Sequence, residues 1–250
     1  MINEVFIKHL GVSIESWLNY ISAVGREYVL SESSIKLPLA EFIGTKIADT
    51  EAVKLEYLHP FFFMKRFDLY LERTVNEINY KTAFEFKYIK DASTLNKNEK
   101  QRIFNDLMRL YYFKRYTDSP CKVYFLICGT QYEFEQSFQK IPTYISSIEP
   151  RADSPKEEVK MSGFYTEWFK FDYKDSVQTI QLNIEEESSV YKPFYTDFFD
   201  NYEKAYKRQL GEDKNLDMPN EIKTKLIFLS QDNTQKDVPE SMKLGIWEIL

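Results

Sequence analysis

The sequence predicts an α/β fold, a mixed β-sheet flanked by helices, and three patterns predict it. Residues 66–72 and 83–88 alternate apolar and polar side chains with the two-residue period of strands, and they lie close enough in sequence to pair as a hairpin. Residues 101–114 place Ile103, Phe104, Leu107, Leu110 and Tyr111 at helical spacing. Residues 122–128 form a continuous apolar run, which suits a strand buried on both faces. A hairpin, a crossover helix and a buried strand, in that order, build a mixed sheet with helices on its faces.

The remaining elements follow along the chain. Ile14, Trp17, Leu18, Ile21, Val24 and Tyr28 predict a first helix, interrupted at residues 31–34. Residues 37–43 predict a second, with Pro38 expected in its first turn, where a missing N–H costs least. His59 and Pro60 lead into the aromatic run Phe61, Phe62, Phe63 and then the hairpin. Residues 91–100 are polar and loop-like. Beyond the buried strand, residues 132–140 suit a short helix and residues 148–160 a surface excursion. Strands are expected at 168–172, 179–184, 225–230 and 244–250, and a helix at 193–210.

Bulk properties narrow the function. The 250 residues show no internal repeat and no composition break, so a single domain over residues 1–250 is expected. Seven glycines and nine prolines are too few for a disordered chain or a turn-dense sandwich. A net charge of −6 argues against a protein that coats nucleic acid, which needs basic surface. It is compatible with a nuclease, because bound metal neutralises acidic ligands. No segment approaches the roughly 20 apolar residues of a membrane span. The start Met1-Ile2-Asn3-Glu4 lacks the basic and apolar run of a signal peptide, so a cytoplasmic protein is expected. Cys121 and Cys128 fall at or near the two ends of one strand, too far apart for a disulfide. With two histidines in the chain, a His/Cys zinc cluster is not expected.

The chemistry lies in the hairpin. Phe67, Leu69 and Leu71 are expected on one face, with Asp68, Tyr70 and Glu72 on the other. In the second strand Phe84, Phe86 and Tyr88 share one face, and Glu85 and Lys87 share the opposite one. Asp68, Glu85 and Lys87 can then converge. Two carboxylates, with the backbone carbonyl of Phe86 as a further donor, suit Mg²⁺ or Mn²⁺. Such an ion serves phosphodiester hydrolysis by activating water and stabilising charge on phosphorus. Lys87 would orient that water or stabilise the phosphate.

Asp68, then Glu85-Phe86-Lys87, then a helix and a buried strand, resembles the PD-(D/E)xK nuclease superfamily, which includes restriction endonucleases, Holliday-junction resolvases and many defence-system nucleases. The resemblance covers residues of about 10–130, with 131–250 as a sheet extension. It implies a restriction-endonuclease-like α-β-β-β-α-β core, metal binding by Asp68 and Glu85 and a catalytic role for Lys87. It also implies a substrate that is DNA rather than RNA, and a prokaryotic or phage defence setting. Members often add a metal-binding glutamate from the first core helix. Glu32 is the candidate, and Glu15 and Glu27 compete with it. Some members carry a Gln and a Tyr four apart on the later helix; here Gln101 is followed by Asn105. The residue before Asp68 is Phe67, not proline.

The Asp/Glu-x-Lys triplet alone says little, since Glu158–Lys160, Asp172–Lys174, Glu212–Lys214 and Glu221–Lys223 also match it. A hairpin with one solvated face would carry the same residue types. Arg66, Arg73 and Lys90 around the hairpin, with Lys65 and Lys81, are candidate phosphate contacts. So are Arg102 and Arg109 on the long helix, near Lys114 and Arg115. Asp106 is expected to pair with Arg109 at i,i+3. His59 and the Phe61–Phe63 run are expected in the core. An acidic nuclease without a separate DNA-binding module suggests a protein partner or a homo-oligomer. The competing class is a catalytically inactive protein on the same fold, acting as an interaction or regulatory subunit.

Overall fold

The computed structural model describes residues 2–45, 47, 53–89, 97–138, 177–183, 185–186, 189, 191–231 and 241–250. Helix α1 (Glu4–Ala23) opens on Asn3, whose Oδ1 accepts the Phe6 N–H at 2.8 Å. After a 3₁₀ turn at Glu27–Val29 comes α2 (Glu32–Gly44), which starts in a capping box. There Ser31 Oγ accepts the Ser34 N–H at 3.2 Å and Ser34 Oγ accepts the Ser31 N–H at 2.8 Å. The box moves the start of α2 forward of the sequence expectation and leaves Pro38 inside the helix. The lost Pro38 N–H is offset by the firm start and by the buried stripe Ile35, Leu39 and Ile43.

Strand β1 (Val53–Leu58) follows, an element absent from the sequence reading. Then come β2 (Arg66–Val75), β3 (Ile78–Ile89), α3 (Lys97–Tyr116), β4 (Cys121–Thr130) and α4 (Gln131–Phe138). The last elements are β5 (Val177–Gln181), α5 (Lys192–Leu210), β6 (Glu221–Leu229) and β7 (Met242–Ile249). Helix α3 begins at Lys97, so the polar residues 97–100 are helical rather than loop. The strand expected at 168–172 and the excursion at 148–160 lie outside the described residues.

The seven strands form one sheet in the order β1-β2-β3-β4-β7-β6-β5. Only β3 and β4 run parallel, joined by α3 as the crossover; every other neighbour is antiparallel. One face packs on α1 and α2 through Ile14, Leu18, Leu39, Phe84, Tyr124 and Leu126. Gly11 lets α1 approach β6, since a methyl there would stand 2.4 Å from Cγ of Phe228. The other face packs on α3 and α5 through Leu107, Phe113, Phe198, Phe125 and Trp247. Phe62 inserts edge-on against Tyr112, Phe198 and Tyr202, so the centre of the aromatic run is core. Cys121 and Cys128 are free thiols at opposite ends of β4, and burial pushes Cys121 up to about 12. No helix among the described residues is long and apolar enough to cross a membrane.

Candidate active site

The site forms where the β2–β3 ladder opens. Pairing runs from Val75 opposite Ile78 to Leu69 opposite Phe84 and goes no further, although β3 stays paired to β4 as far as Ile89. The Phe86 N–H, left without a β2 partner, donates to Asp68 Oδ2 at 2.7 Å. The expected face pattern of β2 also breaks here. Leu69 and Leu71 face α1 and α2 as a pair, but Phe67 lies in the opposite core with Tyr70. Strand β1 switches in step: Leu55 faces α1 and α2, while Tyr57 stacks on Tyr70 at 4.2 Å. Between the switched residues lie Asp68 and Glu56, the latter at φ +51°, so the twist is built into both strands.

Seven charged side chains meet in this notch. Lys36, one turn after Glu32 on α2, reaches Asp68 Oδ1 at 2.7 Å and also binds Glu56. Lys87 Nζ lies 2.8 Å from Glu32 Oε1 and 3.5 Å from Asp106 Oδ2. Arg109 Nη2 donates to Glu85 Oε1 at 2.7 Å and to Asp106 Oδ1 at 2.8 Å. Its Nη1 donates to the Tyr202 hydroxyl of α5 at 3.1 Å. Glu85 is 1% exposed, Lys87 4% and Asp106 8%. The inner cluster thus holds the carboxylates of Glu32, Asp68, Glu85 and Asp106 against the cations of Lys36, Lys87 and Arg109, with half-exposed Glu56 at its rim.

That cluster is one positive charge short, and its electrostatics reflect it. Burial raises the pKa of Glu85 well above the ordinary carboxyl range; Arg109 opposes this, while Asp68 and Asp106 add to it. Burial also raises Asp106, against Arg109 and Lys87. Glu32 is raised by burial against Lys87, with Asp106 and Asp68 adding. Burial alone would lower Arg109, but Glu85 and Asp106 outweigh it and drive it well up. Lys36 is raised in the same way, because Asp68 and Glu56 overcome its burial.

The sequence candidates distribute unevenly. Asp68, Glu85, Phe86 and Lys87 sit together, and Glu32 joins them from the first turn of α2. Glu15 and Glu27 do not: Glu15 is set against Ser230 and Glu27 accepts from Ser22 Oγ at 2.8 Å. Arg109, expected on a phosphate-tracking edge, instead turns inward to carry Glu85 and Asp106, the latter as anticipated from the i,i+3 spacing. Arg66 is exposed beside the notch, where Nη1 donates to the Glu56 carbonyl at 2.7 Å. Arg73 is exposed at the far, turn end of the hairpin, and Arg102 is exposed on α3. Lys90 lies outside the described residues. Gln101 ties α3 to α5 by donating to the Phe194 carbonyl at 2.8 Å and to Asn105 Oδ1 at 2.9 Å. His59 is buried and structural: its Nδ1 accepts the Phe61 N–H and its Nε2 faces the Arg109 carbonyl, each at 3.1 Å, and burial lowers its pKa to about 3. The sequence reading missed Lys36 and Tyr202. The i,i+4 spacing of Glu32 and Lys36 was the one available signal for the former.

The donor set suits a hard divalent cation in type and charge: carboxylate oxygens, no sulfur and no imidazole. Glu85 Oε2 is buried and has no hydrogen-bond partner, an oxygen aimed into a cluster that lacks positive charge. Among the described residues no three carboxylate, histidine or cysteine side chains are arranged to hold an ion. Lys36 and Arg109 account for this, because each already occupies an oxygen of Asp68 or Glu85. No protein-family model, no curated protein and no solved structure matches this chain.

Proposed function

We propose that the protein is a metal-dependent nuclease of restriction-endonuclease-like architecture, hydrolysing phosphodiester bonds in DNA, with a defence role by analogy with the superfamily it resembles. One observation carries the reading: Asp68, Glu85 and Lys87 from the opened hairpin meet Glu32 from α2 in a notch with one uncompensated negative charge. Asp68, Glu85 and the Phe86 carbonyl would hold Mg²⁺ or Mn²⁺, with Glu32 assisting. When bound, the ion supplies a water of lowered pKa and charge stabilisation on the phosphate. Asp68 fixes the β3 backbone at Phe86, and so fixes where Glu85 and Lys87 stand. Lys87, held between Glu32 and Asp106, has its ammonium poised to orient water or to meet phosphate charge.

A second reading has its own support. Arg109 and Lys36 already neutralise Glu85 and Asp68, and the centre is nearly closed to solvent, as suits an inactive interaction or regulatory subunit. Cleavage of supercoiled plasmid, linear duplex, single-stranded DNA and RNA with Mg²⁺ or Mn²⁺ separates the two. Wild type should cut DNA, and Glu85→Ala and Lys87→Ala should each lower the rate by about 10²–10⁴-fold. Cutting that survives both substitutions removes this site from the reaction. No cutting in any lane, with no Mn²⁺ binding, favours the interaction subunit.

A further inference from the structure

We propose that this centre takes one divalent cation rather than two, and that Arg109 stands permanently where a second would bridge Glu85 and Asp106. The inference rests on the nuclease reading above and deepens it. In two-metal hydrolytic sites the ions sit about 3.5–4 Å apart and share carboxylates between them. Here the shared position belongs to a guanidinium: Nη2 of Arg109 is 2.7 Å from Glu85 Oε1 and 2.8 Å from Asp106 Oδ1. A guanidinium does not deprotonate, so this cation stays in place at any working pH. It is further held by Tyr202, and the His59 ring packs at the carbonyl of the same residue. Glu85 therefore offers a single remaining oxygen, the buried and unpartnered Oε2.

Charge counting leads to the same number. Four inner carboxylates against three fixed cations leave −1. One divalent ion brings the cluster to +1, and one phosphodiester brings it to neutrality. A second divalent ion would leave +2 in a site where Glu85 and Lys87 are almost wholly buried, and uncompensated buried charge is costly. Arg109 is on this account a positioning residue, acting through Glu85.

Calorimetric titration of Mn²⁺ into the full chain, with free Mn²⁺ followed by electron paramagnetic resonance, gives the stoichiometry without any activity measurement. One ion per chain is expected, lost in Glu85→Gln. Two ions per chain, both lost in Glu85→Gln, would overturn the inference and leave the nuclease reading standing; no binding at all would remove both. Arg109→Gln should admit a second ion, and a folded Arg109→Gln still binding one would overturn the role given to Arg109. Should that variant fail to fold, Asp106→Asn decides the same point: one ion is expected to remain, and loss of binding would make Asp106 a ligand and overturn the inference.

Discussion

The two ends of the β2–β3 hairpin are made by the same two strands and differ in almost everything else. At the turn end, Asn76 and Glu77 both have positive φ, the two-residue geometry that matches strand twist, and pairing proceeds unbroken to Leu69 and Phe84. The surroundings there are mostly apolar, including a hollow of about 190 Å³ lined by Ile2, Phe6, Leu71, Val75 and Tyr80. At the open end a carboxylate replaces a strand as the partner of the Phe86 N–H, and seven charges gather around it. The difference teaches that the charged residues do not make the site by being on the hairpin. Glu72 and Lys81 stand opposite each other within the ladder and draw no such cluster. The opening of the ladder makes the site, because it creates an unmet N–H that demands an anion at Asp68.

The largest effect that could break this comparison is at Asp68. Asp68→Ala removes both the acceptor for Phe86 and the counter-ion of Lys36, and should destabilise the fold by about 1–3 kcal/mol in denaturant unfolding. Asp68→Asn keeps an acceptor and loses the charge, so it should cost less. Glu72→Ala, at the intact end, accepts only from Asn79 Nδ2 and should cost no more than about 0.5 kcal/mol. If Asp68→Ala and Glu72→Ala prove alike, the open end is not held by its carboxylate.

Much of this was legible in the residues. The alternation of residues 83–88 gave the face shared by Glu85 and Lys87, because β3 is a regular strand paired along its length to β4. The helical spacing of 101–114 gave α3 for a similar reason: a local period records a local structure. The face switch at Phe67 was not legible, since it depends on a left-handed backbone at Glu56 in a neighbouring strand. Nor was the inward turn of Arg109. Its neighbours in sequence are those of an amphipathic helix, and only the sheet beneath supplies Glu85. Pro38 misled because proline is judged by its own cost, while the capping box at Ser31 and the buried stripe around it settled where α2 begins.

A smaller effect joins the two aromatic walls of the site. His59 is neutral in the fold, with its pKa lowered by burial from 6.5 to about 3. Between those values the unfolded chain binds a proton that the folded chain does not. The stability contributed by the neutral ring is therefore complete above pH 6.5 and is lost as pH falls toward 3, by up to about 1.4 kcal/mol per pH unit. His59→Gln should flatten the fall in stability measured between pH 6.5 and 4. An unchanged slope would place the proton elsewhere.

The smallest expected effect sharpens where nucleic acid meets the hairpin. Arg66 stands two residues from Asp68, while Arg73 lies five residues beyond it, roughly 17 Å along an extended strand. That separation is about twice the screening length of roughly 8 Å at physiological salt, so a phosphate held at the notch is felt by Arg66 and hardly by Arg73. A phosphate contact contributes to the salt dependence of binding about one unit of log–log slope. Catalytically inactive Lys87→Ala protein, titrated with duplex DNA at several salt concentrations, isolates this term from cleavage. Adding Arg66→Ala should weaken binding and reduce the slope by about one, and adding Arg73→Ala should change the slope by much less. Equal losses at the two arginines would mean that DNA runs along the whole hairpin, and the contrast between its ends would then belong to the chemistry and not to the binding.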